Sequence, residues 1–232
     1  MKTYLIVGGT SGIGLETVKI LCENNKLIVF SRKNELTLDN ENIKYYQVDV
    51  TKDLNEFPEI SESLNGLVYL PGTITLKPFQ NLKLEDFQYD MEINFYGAIK
   101  TVKKYLNNLK TSQKASIVLF SSVAAQTGMP YHSSISSAKS ALEGLTRSLA
   151  AEFAPYIRVN CIAPSITITP LAEKFINNET KLKALEERHP LKRIGSASEI
   201  AKLVEFLLSN NSEFITGQII TVDGGIGTLK IN

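Results

Sequence analysis

The stretch from Tyr4 to Gly14, YLIVGGTSGIG, constrains this chain more than any other. Tyr4–Val7 are apolar or aromatic and predict a short buried strand. Glycines follow at 8, 9, 12 and 14, and Ile13, Thr17, Ile20 and Leu21 then recur at helical spacing. The reading is strand, glycine turn, helix. Glycine lets the backbone turn tightly and lets a bulky anion come close. The helix start then offers free N–H groups and the positive end of its dipole to a phosphate. The spacing Gly8-x3-Gly12-x-Gly14 differs from the common G-x-G-x-x-G. A turn that only lets strand and helix pack is the plainer alternative.

Six more short apolar runs follow: Leu27–Phe30, Ile43–Val48, Leu67–Leu70, Ser116–Phe120, Arg158–Ile162 and Gln218–Val222. Helical patterns lie between most of them. Ile99, Val102, Leu106 and Leu109 mark one helix. Ala138, Ala141, Leu142, Leu145 and Leu149 mark a second, and Ile200, Leu203, Val204, Leu207 and Leu208 a late one. Short continuous apolar strands between amphipathic helices imply an α/β fold, a parallel sheet covered on both faces. No linker or repeat interrupts the pattern, so one domain over 1–232 is expected. Two connections are short. From Arg32 to Lys44 there is little room for a crossover helix, and Asp39-Asn40-Glu41-Asn42 is turn-like. From Thr51 to Asn65 a helix must cope with Pro58. The segment at about 165–190 is long and charged. Its part from Pro170 to Pro190 is bounded by prolines, and it follows the sixth run, at the end of the sheet where open α/β folds bind ligands; a helical lid over a pocket and a surface excursion are the two readings.

Composition excludes some functions. The formal charge is +1 with no basic run, which disfavours nucleic acid as a partner. No apolar run reaches membrane-spanning length. The chain leads straight into its first strand and predicts no secretion signal. Cys22 and Cys161 lack metal-ligand spacing and predict buried thiols, no metal site and a reducing, cytoplasmic setting.

Beside the glycine turn stand Asp49-Val50, Asn94-x-x-Gly97, Ser121-Ser122 and Lys139 in SAKSALEGLTRSLAAE. Further on come RVNCIAPS at 158–165, PLKRIGSASEIAKLVEFLLS at 190–209 and ITGQIITVDGG at 215–225. In this order the chain resembles the classical short-chain dehydrogenases/reductases, similar to bacterial 3-oxoacyl-carrier-protein reductases, over residues 4–225. The resemblance implies a doubly wound Rossmann-type sheet of seven parallel strands. It implies a nicotinamide dinucleotide held by Gly8, Thr10, Ser11, Gly12, Ile13, Gly14, Asp49, Val50, Gly72, Lys139, Pro164 and Ile166. It implies oxidation or reduction of a small alcohol or carbonyl compound. It also implies a homo-dimer or homo-tetramer built on the long central helices, which small residues Ala138, Ser140, Ala141 and Gly144 suit. A carboxylate after the second strand would hold a ribose 2′-hydroxyl. Here Ser31, Arg32 and Lys33 stand instead. Arginine can pair with a 2′-phosphate, so NADP(H) is expected over NAD(H).

The resemblance implies catalytic roles for Ser122, Lys139 and Asn94. It also implies a tyrosine four residues before the lysine, and that position holds Ile135. Hydride transfer to a carbonyl builds negative charge on oxygen, and isoleucine has no proton to give. Tyr131 lies four residues further back and could stand in for the acid if a helix begins at Pro130. If the serines cap the helix later, it does not. His132, expected on another face, and a water on Lys139 are the other candidates. Leu70-Pro71-Gly72 and Ser165 after Pro164 are further departures from the family pattern. The alternative to an enzyme is a dinucleotide-binding protein that has lost fast chemistry.

Overall fold

The computed structural model describes residues 1–33, 38 and 40–230. Asp39, in the turn expected after the second strand, lies outside the described residues. Asn42 N donates to Asn40 Oδ1 at 2.8 Å, so the turn closes there.

Each apolar run forms a strand. The strands are β1 (Thr3–Val7), β2 (Lys26–Ser31), β3 (Ile43–Gln47), β4 (Gly66–Tyr69), β5 (Ala115–Phe120) and β6 (Ile157–Pro164). Two short strands follow, β7 (Thr167–Ile168) and β8 (Gly195–Ser196), and then β9 (Ile219–Val222). The main sheet has the order β3-β2-β1-β4-β5-β6-β9 and every neighbouring pair is parallel. This is the Rossmann-type arrangement, with its topological switch between β1 and β4. β7 and β8 pair separately.

Both faces of the sheet are apolar because both are covered. Along β1, Leu5 and Val7 enter one core while Tyr4 and Ile6 enter the other, as the two-residue period of a strand requires. The first core is closed by α3 (Gly97–Lys110) and α4 (Ser133–Phe153) through Val102, Tyr105, Leu109 and Leu142. The second is closed by α1 (Gly12–Leu21) and α7 (Ala197–Leu208) through Val18, Leu21, Ile200, Val204 and Leu207. A fully buried aliphatic side chain of this kind contributes about 1.5–3 kcal/mol.

Two regions depart from the simple helical reading. Between Thr51 and Asn65 there is only a short turn, Leu54–Glu56, as Pro58 leads one to expect. The helix marked by Ile99 to Leu109 starts earlier than its apolar spacing shows. It is continuous with α2 (Leu84–Met91) through a wide π-type turn at Glu92–Tyr96. Tyr69 Oη donates to the Ile93 carbonyl in that turn at 2.6 Å. A Cβ on Gly97 would lie 2.1 Å from this hydroxyl, so Gly97 makes room for it. After β7 come α5 (Glu173–Ile176) and α6 (Glu179–Arg188).

Candidate functional site

The glycine turn is shaped by contacts that leave no room for side chains. Gly8 and Gly12 have φ of +85° and +52°, a region L residues rarely adopt. A Cβ on Gly14 would lie 2.0 Å from the Gly8 carbonyl oxygen. Thr10 and Ser11 complete the turn, and Ser11 caps α1 without a side-chain hydrogen bond. No acidic residue sits in the first turn of α1 to offset its free N–H groups and dipole. Glycine at 8, 12 and 14 with an open helix start is the cradle a pyrophosphate needs.

Further out lie the residues expected at the adenosine end. Ser31 ends β2, and its hydroxyl donates to the Lys33 carbonyl. Arg32 is exposed beside it. Asp49 accepts from the Thr51 N–H at 2.9 Å and the Thr51 hydroxyl at 2.8 Å. Burial pushes the Asp49 carboxyl up, but those bonds and the Arg32 and Lys52 charges outweigh it and hold it below the usual range. Val50 is buried against Gly97. On the other side of the turn, the Pro71 ring packs against Gly8, where a Cβ would meet its Cδ at 3.3 Å.

The centre of the site is a cavity of about 290 Å³ at the carboxyl ends of β4, β5 and β6. Ile13, Gly72, Ser122, Ile135, Lys139, Pro164 and Ile166 all line it. Ser122 follows β5. Its oxygen accepts from the Ala124 N–H at 3.2 Å, and among the described residues its hydrogen has no acceptor. Lys139 Nζ donates to the Phe120 carbonyl at 2.7 Å. A Cβ on Gly72 would lie 3.2 Å from Asn94 Oδ1 and 3.4 Å from Lys139 Nζ, so the two groups converge there. Asn94 sits in the π-type turn, and its Nδ2 donates to the Asp90 carbonyl and the Thr73 hydroxyl, both at 2.8 Å.

Burial lowers the Lys139 pKa to about 8, against the raising pull of Cys161 and Asp90. Burial also pushes the Cys161 thiol up to about 12. Asp90 is fully buried and accepts from the hydroxyls of Thr73, Thr75 and Ser134. The lowered lysine makes a prediction. Between pH 8 and about 10.5 the folded chain holds fewer protons at this site than the unfolded chain, so stability rises with pH there. Urea midpoints of wild type should climb across that window relative to Lys139→Met; parallel profiles would contradict the assignment.

The proton-donor candidates separate clearly. The helix begins at Ser133, not at Pro130. Tyr131 therefore precedes it, with φ of +70° and 58% exposure, and does not line the cavity. The alignment that would have made Tyr131 a surrogate acid is not made. His132, expected on a different face from Tyr131, lines the cavity, and its Nδ1 donates to the Pro130 carbonyl at 2.7 Å. Among the described residues no tyrosine lines the cavity.

Some wall residues were not singled out from the sequence. Thr73, Thr169, Arg188 and His189 all reach the cavity. Residues 165–190 lie across it: Leu171, Ala172 and Phe175 line it, Thr169 packs on Gly12, and Lys174 Nζ donates to the Ile74 carbonyl at 3.1 Å. The only sequence signals for this wall were its position after β6 and its bounding prolines.

Known proteins share this architecture. The family model described as enoyl-(acyl carrier protein) reductase matches residues 7–227. A tropinone reductase homologue from Arabidopsis thaliana is 35% identical, over 97% of this chain and 91% of its own. A short-chain dehydrogenase family protein from Francisella tularensis superposes with a TM-score of 0.90 at 31% identity, over 99% of this chain and 100% of its own. ElxO with NADP bound gives 0.88 at 30% identity, over 98% and 99%. With the Rossmann-type sheet, the glycine cradle and this coverage together, the chain belongs to the short-chain dehydrogenase/reductase family of oxidoreductases.

Proposed function

We propose that the chain is an NADP(H)-dependent oxidoreductase that interconverts a small carbonyl compound and its alcohol. The observation that carries this is that Ser122 and Lys139 line one cavity beside the glycine turn, with Asn94 converging on Lys139 behind Gly72. When bound, the nicotinamide dinucleotide supplies or accepts a hydride. Gly8, Gly12, Gly14 and the start of α1 would hold its pyrophosphate. Lys139, within reach of Gly72 and Asn94, would hold the nicotinamide ribose. Ser122 would donate to the substrate oxygen and stabilise charge developing there. The apolar walls and the 165–190 segment, acting as a lid, would exclude water. A single domain, a cytoplasmic setting and a homo-dimer or homo-tetramer complete the reading, with neither nucleic acid nor membrane as partner. Among the described residues no helix is long and apolar enough to cross a membrane.

Preference for NADP(H) rests on Ser31 and Arg32, where a carboxylate would repel a 2′-phosphate. That ElxO carries NADP supports it by analogy. Losing a charge-assisted hydrogen bond of about 1.5–3 kcal/mol should weaken NADPH binding by Arg32→Ala roughly ten- to hundredfold. NADH binding should hardly change. Nicotinamide fluorescence titrations measure both, and equal losses for the two nucleotides would contradict the role.

Ile135 favours a second reading, a dinucleotide-binding protein with little turnover. The deciding experiment is NADPH consumption with an electrophilic aldehyde. Turnover above the rate in buffer supports the enzyme; tight NADPH binding without turnover supports the binding protein.

A further inference from the structure

Ser165 and His189 both reach the cavity and meet each other there. His189 is 1% exposed. Its Nδ1 donates to the Leu185 carbonyl at 2.7 Å, one turn back at the end of α6. A neutral ring so held carries its proton on Nδ1 and keeps a lone pair on Nε2. That Nε2 faces Ser165 Oγ at 3.0 Å. Phe120 and Ile162 are register partners in β5 and β6, so Ser122 and Ser165 leave neighbouring strands at the same edge. The cavity that Ser122 lines thus also holds a hydroxyl backed by an oriented imidazole, and only an isoleucine one turn before Lys139.

We propose that Ser165 and His189 form a proton relay serving the substrate oxygen, in place of an acid at position 135. This rests on the oxidoreductase reading above. In oxidation, the alcohol O–H bond breaks and its proton passes to Ser165 Oγ. The proton of Ser165 passes to Nε2 of His189, and the hydride on the carbinol carbon goes to the oxidised nicotinamide dinucleotide. The alcohol becomes a carbonyl, and the imidazolium keeps its Nδ1–H on Leu185 until Nε2 releases its proton to solvent. Reduction runs these steps backwards: a hydride reaches the carbonyl carbon, Ser165 protonates the oxygen, and His189 reprotonates Ser165. His132 also lines the cavity with its Nδ1 on a carbonyl, but among the described residues no hydroxyl faces its Nε2, and Lys139 is already held by the Phe120 carbonyl.

The test uses the whole chain with NADPH and 4-nitrobenzaldehyde as probe. Wild type should turn over. Ser165→Ala and His189→Gln should each lower kcat by roughly a hundred- to ten-thousandfold, the usual worth of a positioned acid. KM should stay within about threefold, because ground-state binding is kept. NADPH fluorescence reports that each variant still binds nucleotide. Adding Ile135→Tyr to Ser165→Ala should restore turnover, a rescue that a merely structural serine would not show. The chain has two histidines, so imidazole ¹⁵N spectra read His189 directly. The proton should be on Nδ1, and Ser165→Ala should shift Nε2. Wild-type rates in Ser165→Ala, or a proton on Nε2, would overturn the relay. An inactive wild type beside an active Ile135→Tyr variant would also overturn it and leave the oxidoreductase reading standing. Inactivity of both, with NADPH bound, would overturn that reading and the relay with it.

Discussion

Alanine at position 14 is expected to abolish NADPH binding. The added carbon would sit 2.0 Å from the Gly8 carbonyl oxygen, 2.9 Å from the Gly8 carbonyl carbon and 3.0 Å from the Gly9 Cα. All three are backbone atoms, so no side chain can swing aside. Either α1 lifts off the turn or the turn opens, and both move the helix start away from the phosphates. Overpacking of this kind typically costs about 1–3 kcal/mol of stability. The loss in nucleotide affinity should be larger, because the cradle is itself the proposed binding site. Gly144 provides the contrast. It lies on the exposed side of α4 with nothing within 4 Å of a Cβ. Gly144→Ala should leave NADPH binding unchanged. Fluorescence titration and urea unfolding of the two variants check this. Retained binding in Gly14→Ala would remove the glycine turn from the account.

Ser122→Ala is expected to lower kcat by roughly a hundred- to a thousandfold, as loss of an oxyanion donor does elsewhere. The Ser122 oxygen is held by the Ala124 N–H, which aims its hydrogen away from that bond. The cavity is otherwise largely apolar, with Phe120, Leu171 and Phe175 on its walls, so a developing charge meets little solvent. Removing the hydroxyl leaves that charge weakly supported, while the nucleotide cradle is untouched. NADPH affinity should therefore stay as in wild type. Steady-state kinetics with 4-nitrobenzaldehyde measure the effect, and an unchanged kcat would mean that Ser122 is only a turn residue.

The fold was readable because its strands are buried on both faces. Runs such as Leu27–Phe30 have no polar alternation to confuse with another element, and the helices between them carry clear apolar spacing. The glycine turn was readable because it requires backbone that only glycine supplies. The start of α4 was not. Pro130 and the serines at 133 and 134 each offered a beginning. The positive φ of Tyr131 settled it at Ser133 and turned the tyrosine outward. Asp90 was also hidden. Its role depends on Thr73 and Thr75 in the segment after β4 and on Ser134 in α4, two stretches far apart in the chain. The pair formed by Ser165 and His189 spans 24 residues, and only the path of α6 back to β6 makes it a contact. Spacing along the chain reports local geometry well. It does not report which side chains a returning segment delivers.

The most direct test is a titration of wild-type protein with NADPH and, separately, with NADH, followed by nicotinamide fluorescence. Saturable binding of NADPH at one nucleotide per chain, tighter than NADH, is the predicted result. No saturation with NADPH, or tighter binding of NADH, would contradict the assignment of this cavity and its glycine turn to an NADP(H)-dependent oxidoreductase.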